Sequence, residues 1–136
     1  MKDIFQAAYE HLCNNQAIQA KVQGRIFPVV LPQEEPLPAI VYSPTMANYD
    51  SALQGDTGYV RQTIQFVCHE RTFKLARQLS RLVKKAFQDY KGDMCGLEVQ
   101  AVFIKSDYEY NGNTSLKFDT EEYMSSIEFE FHFNEK

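Results

Sequence analysis

Between Val60 and Tyr90 the hydrophobic period changes from two residues to 3.6 across a short joint, so a half-buried strand must run straight into an amphipathic helix. Along the strand, Val60, Gln62, Ile64, Phe66 and Cys68 point one way, and Tyr59, Arg61, Thr63, Gln65 and Val67 point the other. After His69-Glu70-Arg71, the residues Leu75, Ala76, Leu79, Leu82, Val83, Ala86 and Tyr90 fall on one helical face. Opposite them lie Lys74, Arg77, Arg81, Lys84 and Lys85. A helix divided so cleanly covers a sheet rather than sitting inside a core.

The remaining elements follow from local pattern. Ile4, Phe5, Ala8 and Leu12 repeat at helical spacing behind Asp3, a capping residue type, and Asn14-Asn15 marks a stop. A short helical turn from Gln16 to Val22 comes next, then a turn at Gly24-Arg25 into a brief extended piece. Pro32, Pro36 and Pro38 stiffen the approach to Ala39-Ile40-Val41-Tyr42, read as a short strand closed by Pro44. Thr45–Gly58 and Asp107–Asp119 are polar and without period, which predicts two long loops, mobile in the isolated subunit and ordered by contacts. Leu97, Val99, Ala101 and Phe103 alternate against Glu98, Gln100 and Val102 as a third long strand. The last is the most regular: Tyr123, Ser125, Ile127, Phe129, Phe131 and Phe133 oppose Met124, Ser126, Glu128, Glu130 and His132. The predicted fold is α+β, a mostly antiparallel sheet of about four strands, with an N-terminal helix and the long amphipathic helix packed on one face.

At 136 residues the chain has the length of one domain and can bury a core without staples. Its 14 basic residues stand against 18 acidic ones, a net charge of −4, which weighs against a dedicated nucleic-acid binder because duplex affinity comes largely from neutralised phosphates. Cys13, Cys68 and Cys95 are an odd number without CxxC pairing, so they read as buried small thiols in a reducing compartment. No stretch approaches the roughly 18 apolar residues of a membrane span, and the N-terminal residues form no sustained apolar run. The expected location is the cytoplasm, unless the protein is carried inside a larger object.

A search for chemistry returns little. Cys68, His69 and Glu70 are adjacent, but neighbouring strand residues point to opposite faces, so a thiol and its base at these positions do not meet; a core thiol and a surface imidazole are the plainer reading. His11, His69 and His132 lie on three different elements, without the spacing of metal ligands. Glu128 and Glu130 share an exposed strand face, where solvated charge discourages edge pairing. GxGxxG, P-loop and GxSxG motifs are lacking, and no catalytic residue, metal or cofactor is assigned. The basic helix face has two readings: a solvated surface, or a positive face that meets the negative strand face of another copy. Tyr49, Tyr108 and Tyr110, in the polar segments, and Arg61, on the long strand, complete the candidate contacts.

With these elements in order, the segments Gln23-Gly24-Arg25-Ile26-Phe27-Pro28, Leu37-Pro38-Ala39-Ile40-Val41-Tyr42, Val60-Arg61-Gln62-Thr63-Ile64-Gln65-Phe66 and Ala76 to Phe87 resemble the tail completion (tail terminator) proteins of long-tailed bacteriophages and prophages. The resemblance implies a small α+β subunit that assembles in the host cytoplasm and forms a ring, six copies in size, on the end of the virion's tail tube. Its implied partners are further copies of itself, the tail tube protein and the head-tail connector protein, with DNA sliding through the lumen unbound. No catalysis is implied. The alternatives are a small cytoplasmic α+β enzyme or ligand-binding domain, or another neck or tube component of a phage.

Overall fold

A computed structural model describes residues 3–32, 36–52, 55–111 and 123–134. Three helices and six strands follow in the order α1 (Ile4–Cys13), α2 (Gln16–Val22), β1 (Ile26–Pro28), β2 (Ala39–Ala52), β3 (Gly55–Glu70), α3 (Phe73–Phe87), β4 (Gly92–Met94), β5 (Leu97–Asn111) and β6 (Tyr123–Asn134). One sheet holds all six strands in the order β1-β2-β3-β6-β5-β4. Every pairing is antiparallel except β1 with β2. The α+β class and the mostly antiparallel sheet stand; the count of four strands was too low, and the expected pair of helices gains a third, since Gln16–Val22 is a helix and not a single turn. Strands β1 and β4 have three residues each, fewer than an alternation needs to show itself.

Caps set the helix starts: Asp3 as expected, Asn15, which the sequence reads as part of a stop, and Thr72. Asp3 accepts from the Gln6 amide at 2.7 Å, Asn15 from Ile18 at 3.1 Å and Thr72 from Leu75 at 3.2 Å. After α2 the chain reverses through Gln23 and Gly24, both at positive φ, and Arg25 donates from Nε to the Pro38 carbonyl at 2.8 Å. That bond and the register Ile26↔Ile40, Phe27↔Val41, Pro28↔Tyr42 make the two proline-containing segments neighbours in space.

Helix α3 lies over β3 and β6. Ile64, Phe66 and Cys68 from β3 and Ile127, Phe129 and Phe131 from β6 are buried beneath it. At the centre, Phe87 stacks on Phe66 at 5.0 Å and meets Phe131 edge-on at 5.3 Å and Phe129 at 5.6 Å. Helix α1 closes the end of this layer through His11, whose Nε2 lies 2.9 Å from the Ala86 carbonyl, one of the last-turn oxygens that the helix itself leaves without a donor. The buried stripe of α3 is Ala76, Leu79, Ser80, Val83 and Phe87. It is rotated from the predicted one: Leu75 is exposed, while Leu82, Ala86 and Tyr90 are only partly covered. Ser80 joins the apolar face because its hydroxyl donates to the Arg77 carbonyl at 3.1 Å.

Two expectations fail for identifiable reasons. Residues 45–52 and 55–58 are strand, not loop: β2 and β3 pair in one long ladder as far as Ala52↔Gly55, with register shifts between Pro44 and Met46 and between Tyr49 and Ser51. Asp107–Asn111 likewise belongs to β5, while residues 112–119 lie outside the described residues. On β5, a bulge between Val99 and Ala101 inverts the phase, so Val102 and Ile104 turn toward the core and Phe103, at 51% exposure, faces outward. A simple alternation assigns those faces the other way round.

Candidate interaction surfaces

A groove of about 580 Å³ lies where α3 passes α2, lined by Lys21, Phe73, Lys74, Arg77, Gln78, Arg81 and Leu82. Thr72 caps α3 and so fixes Phe73 and Lys74 in the first turn, with Phe73 at 53% exposure. Lys21 arrives from the last turn of α2. The surface therefore combines an apolar ring with several cations. Arg81 places its Nη1 3.2 Å from Asp107 Oδ2 and ties α3 to β5. With its side chain 41% exposed, that pair contributes little to stability. Lys84 and Lys85 sit in the last helical turn, where cations complement the helix dipole.

The other charged surface is the outer face of β6. Glu128 accepts from the Ser106 hydroxyl at 2.8 Å, and Glu130 Oε1 lies 2.9 Å from His132 Nε2, with Lys105 Nζ at 3.9 Å from its second oxygen. A carboxylate only accepts, so His132 donates from Nε2, and its Nδ1 lies 2.6 Å from the Tyr59 hydroxyl. Phe103 packs edge-on against the same imidazole at 5.0 Å. The acidic face is thus half-buried and internally partnered, not the bare charged strip expected from Glu128 and Glu130. Arg61 is half-buried on this sheet, opposite His132 in register. Tyr49 lies opposite Val60 in the hairpin, and Tyr108 and Tyr110 lie opposite Ser126 and Met124.

Cys68 and His69 pair with Ile40 and Ala39 respectively, successive positions that send their side chains to opposite faces. His69 is buried, contrary to the surface imidazole expected. Burial pushes the Cys68 thiol far up, with Glu70 and then Asp107 adding to the effect, so it stays protonated in the folded chain. The sign follows directly. An unfolded chain loses this proton in the ordinary thiol range while the native one keeps it, so the stability from this group is full below that range and declines as pH rises from there toward the native value. In native protein a thiol reagent is expected to modify the half-buried Cys13 and Cys95 and to reach Cys68 only on unfolding, as a count of labelled thiols with and without denaturant will show. Among the described residues no three His, Cys, Asp or Glu side chains group as metal ligands, and no helix is long and apolar enough to cross a membrane.

The family model of tail completion protein gp17 matches residues 6–117, the greater part of the chain. The chain belongs to the tail completion protein gp17 family. As a member of that family it is a structural protein of phage tails. Its fold is shared with a solved chain from the virion of a native gene transfer agent particle, with a TM-score of 0.69 at 13% identity over 96% of this chain and 94% of that one. A second solved chain, 14% identical over 100% of this chain and 99% of its own, superposes with a TM-score of 0.55. No curated protein matches.

In this tail completion protein, α3 brings Lys74, Arg77 and Arg81 together, whereas Glu128 and Glu130 form a separate cluster on the other side of the sheet. The periodic pattern missed Phe73 and Lys21. Phe73 had one available signal, its place directly after a Thr at a helix start. Lys21 had none, because only packing brings α2 beside α3.

Proposed function

We propose that this chain, as one domain, caps the tail tube and joins the tail to the head connector, acting as a non-enzymatic subunit of a ring that is six copies in size. Membership in the tail completion family over residues 6–117 carries this reading. The shared fold with a chain of a gene transfer agent virion supports it. The partners are further copies, the tail tube protein and the connector protein. With 18 acidic against 14 basic residues, the chain suits a lumen through which DNA slides without sticking. Subunits assemble in the host cytoplasm and end in the virion tail, whether the parent genome is a phage or a prophage. An enzyme built on Cys68 and His69 is disfavoured by their opposite faces and by the burial of the thiol.

Deletion of the gene from the parent phage or prophage tests the proposal. The expected result, read by electron microscopy, is DNA-filled heads that lack tails alongside tails of irregular or excessive length. Normal tail length with normal joining would overturn it.

A further inference from the structure

The β2–β3 hairpin overshoots the rest of the sheet. Among the described residues its ladder continues to Ala52↔Gly55, while β6 pairs with β3 as far as Tyr59↔Asn134 and β1 pairs with β2 along Ile40–Tyr42. The four residues of β3 beyond Tyr59 carry a two-stranded arm about 13 Å past its neighbour at roughly 3.3 Å per residue. A two-stranded hairpin is marginal by itself and gains stability by packing on something. From Ser43 to Val60 the sequence contains no Lys or Arg, and the two strands of the arm contribute Asp50 and Asp56. Asp56 pairs with Ser51, next to Asp50, so the two acidic positions lie close together on the ladder.

The groove between α2 and α3 has the complementary character, cationic through Lys21, Lys74 and Arg77 and apolar through Phe73. It lies at the opposite end of β3 from the arm, because α3 begins just after Glu70. Gly55 to Glu70 spans up to about 50 Å of strand, so a subunit's own arm does not reach its own groove. A second copy does supply one. Outside α3 and Lys21, the chain's eight other basic residues stand against eighteen acidic ones, so every copy offers a predominantly acidic remainder to that groove.

We infer that the acidic β2–β3 arm of one subunit docks in the α2–α3 groove of the next. The contact is heterologous, since arm and groove are different surfaces, and repetition of such a contact closes a ring when the rotation permits. The inference rests on the tail-terminator reading and names the surfaces that would join its subunits. Charge attraction selects the register, and Phe73 gives the arm an apolar seat.

A charge-swap complementation tests it. One variant carries Lys21→Glu and Lys74→Glu, acidic at both surfaces; the other carries Asp50→Lys and Asp56→Lys, basic at both. In a deletion host each alone is expected to lower the titre of joined particles by about 100-fold or more, because like charges then face each other at every contact. Produced together they alternate around an even-membered ring with every contact restored, and the titre returns to within about 10-fold of the wild-type gene. Full titre from either variant alone would overturn the inference. So would failure of the pair while both chains keep the native circular dichroism and melting temperature. In addition, a photoreactive side chain at position 56 in producing cells must crosslink to α2 or α3 of a second copy. A crosslink elsewhere, or none between copies, overturns the arm contact whatever the deletion shows. Normal tails in the deletion host overturn the terminator reading instead.

Discussion

Replacing Phe87 by Ala is expected to cost about 3–5 kcal/mol of folding stability, the range for removing a buried aromatic from a core that relaxes only partly. Phe87 is fully buried and stands between Phe66, Phe129 and Phe131, so its loss opens a void at the one point where α3, β3 and β6 meet. His11 also stacks beside it at 5.2 Å, and the seating of α1 loosens with it. Chemical denaturation with a linear fit is the measurement, with a lowered midpoint and an unchanged slope as the signature. A loss under about 1 kcal/mol would mean that the aromatic cluster does not hold the helix on the sheet.

The second large effect separates two neighbours on β5. Val102→Asp places a carboxylate among the buried residues opposite Phe131 and is expected to cost several kcal/mol or to prevent folding. Phe103→Asp, at a half-exposed position, loses the edge-on contact with His132 and faces Glu130 in register, and is expected to cost about 1–2 kcal/mol, well below the Val102 change. Paired thermal melts decide it. A plain alternation of the strand gives the opposite ranking, so the comparison reads the bulge between Val99 and Ala101 directly.

Both substitutions show where sequence pattern succeeds and where it stops. The β6 alternation is legible throughout because no bulge interrupts its pairing with β3, and Ile127, Phe129, Phe131 and Phe133 all turn to the core as their period demands. On β5 two bulges each add one residue, and an inserted residue changes every later face without changing composition. The β2–β3 hairpin escaped for a related reason. The mostly polar residues from Thr45 to Gly58 carry no two-residue hydrophobic period, so an extended ladder and a loop look alike in sequence.

The candidate surfaces divide along the same line. Periodicity alone placed Lys74, Arg77 and Arg81 on one side of α3, since the spacing of a helix fixes which residues share a face. Whether such a residue is available is a matter of its neighbours, and the sequence is silent there. Arg81 meets Asp107 and His132 meets Tyr59 across gaps of many residues, and Lys21 lines one groove with Phe73 from a different helix. The sequence by itself determined the α+β class, the strand-to-helix joint after Glu70, the cap of the first helix at Asp3 and the resemblance to tail completion proteins, because these depend on local contacts or on the order of elements. Only the tertiary structure decided the phase of β5, the length of the hairpin arm and the partners of each charge, because bulges and long-range pairing join residues whose separation in the chain leaves no local signal.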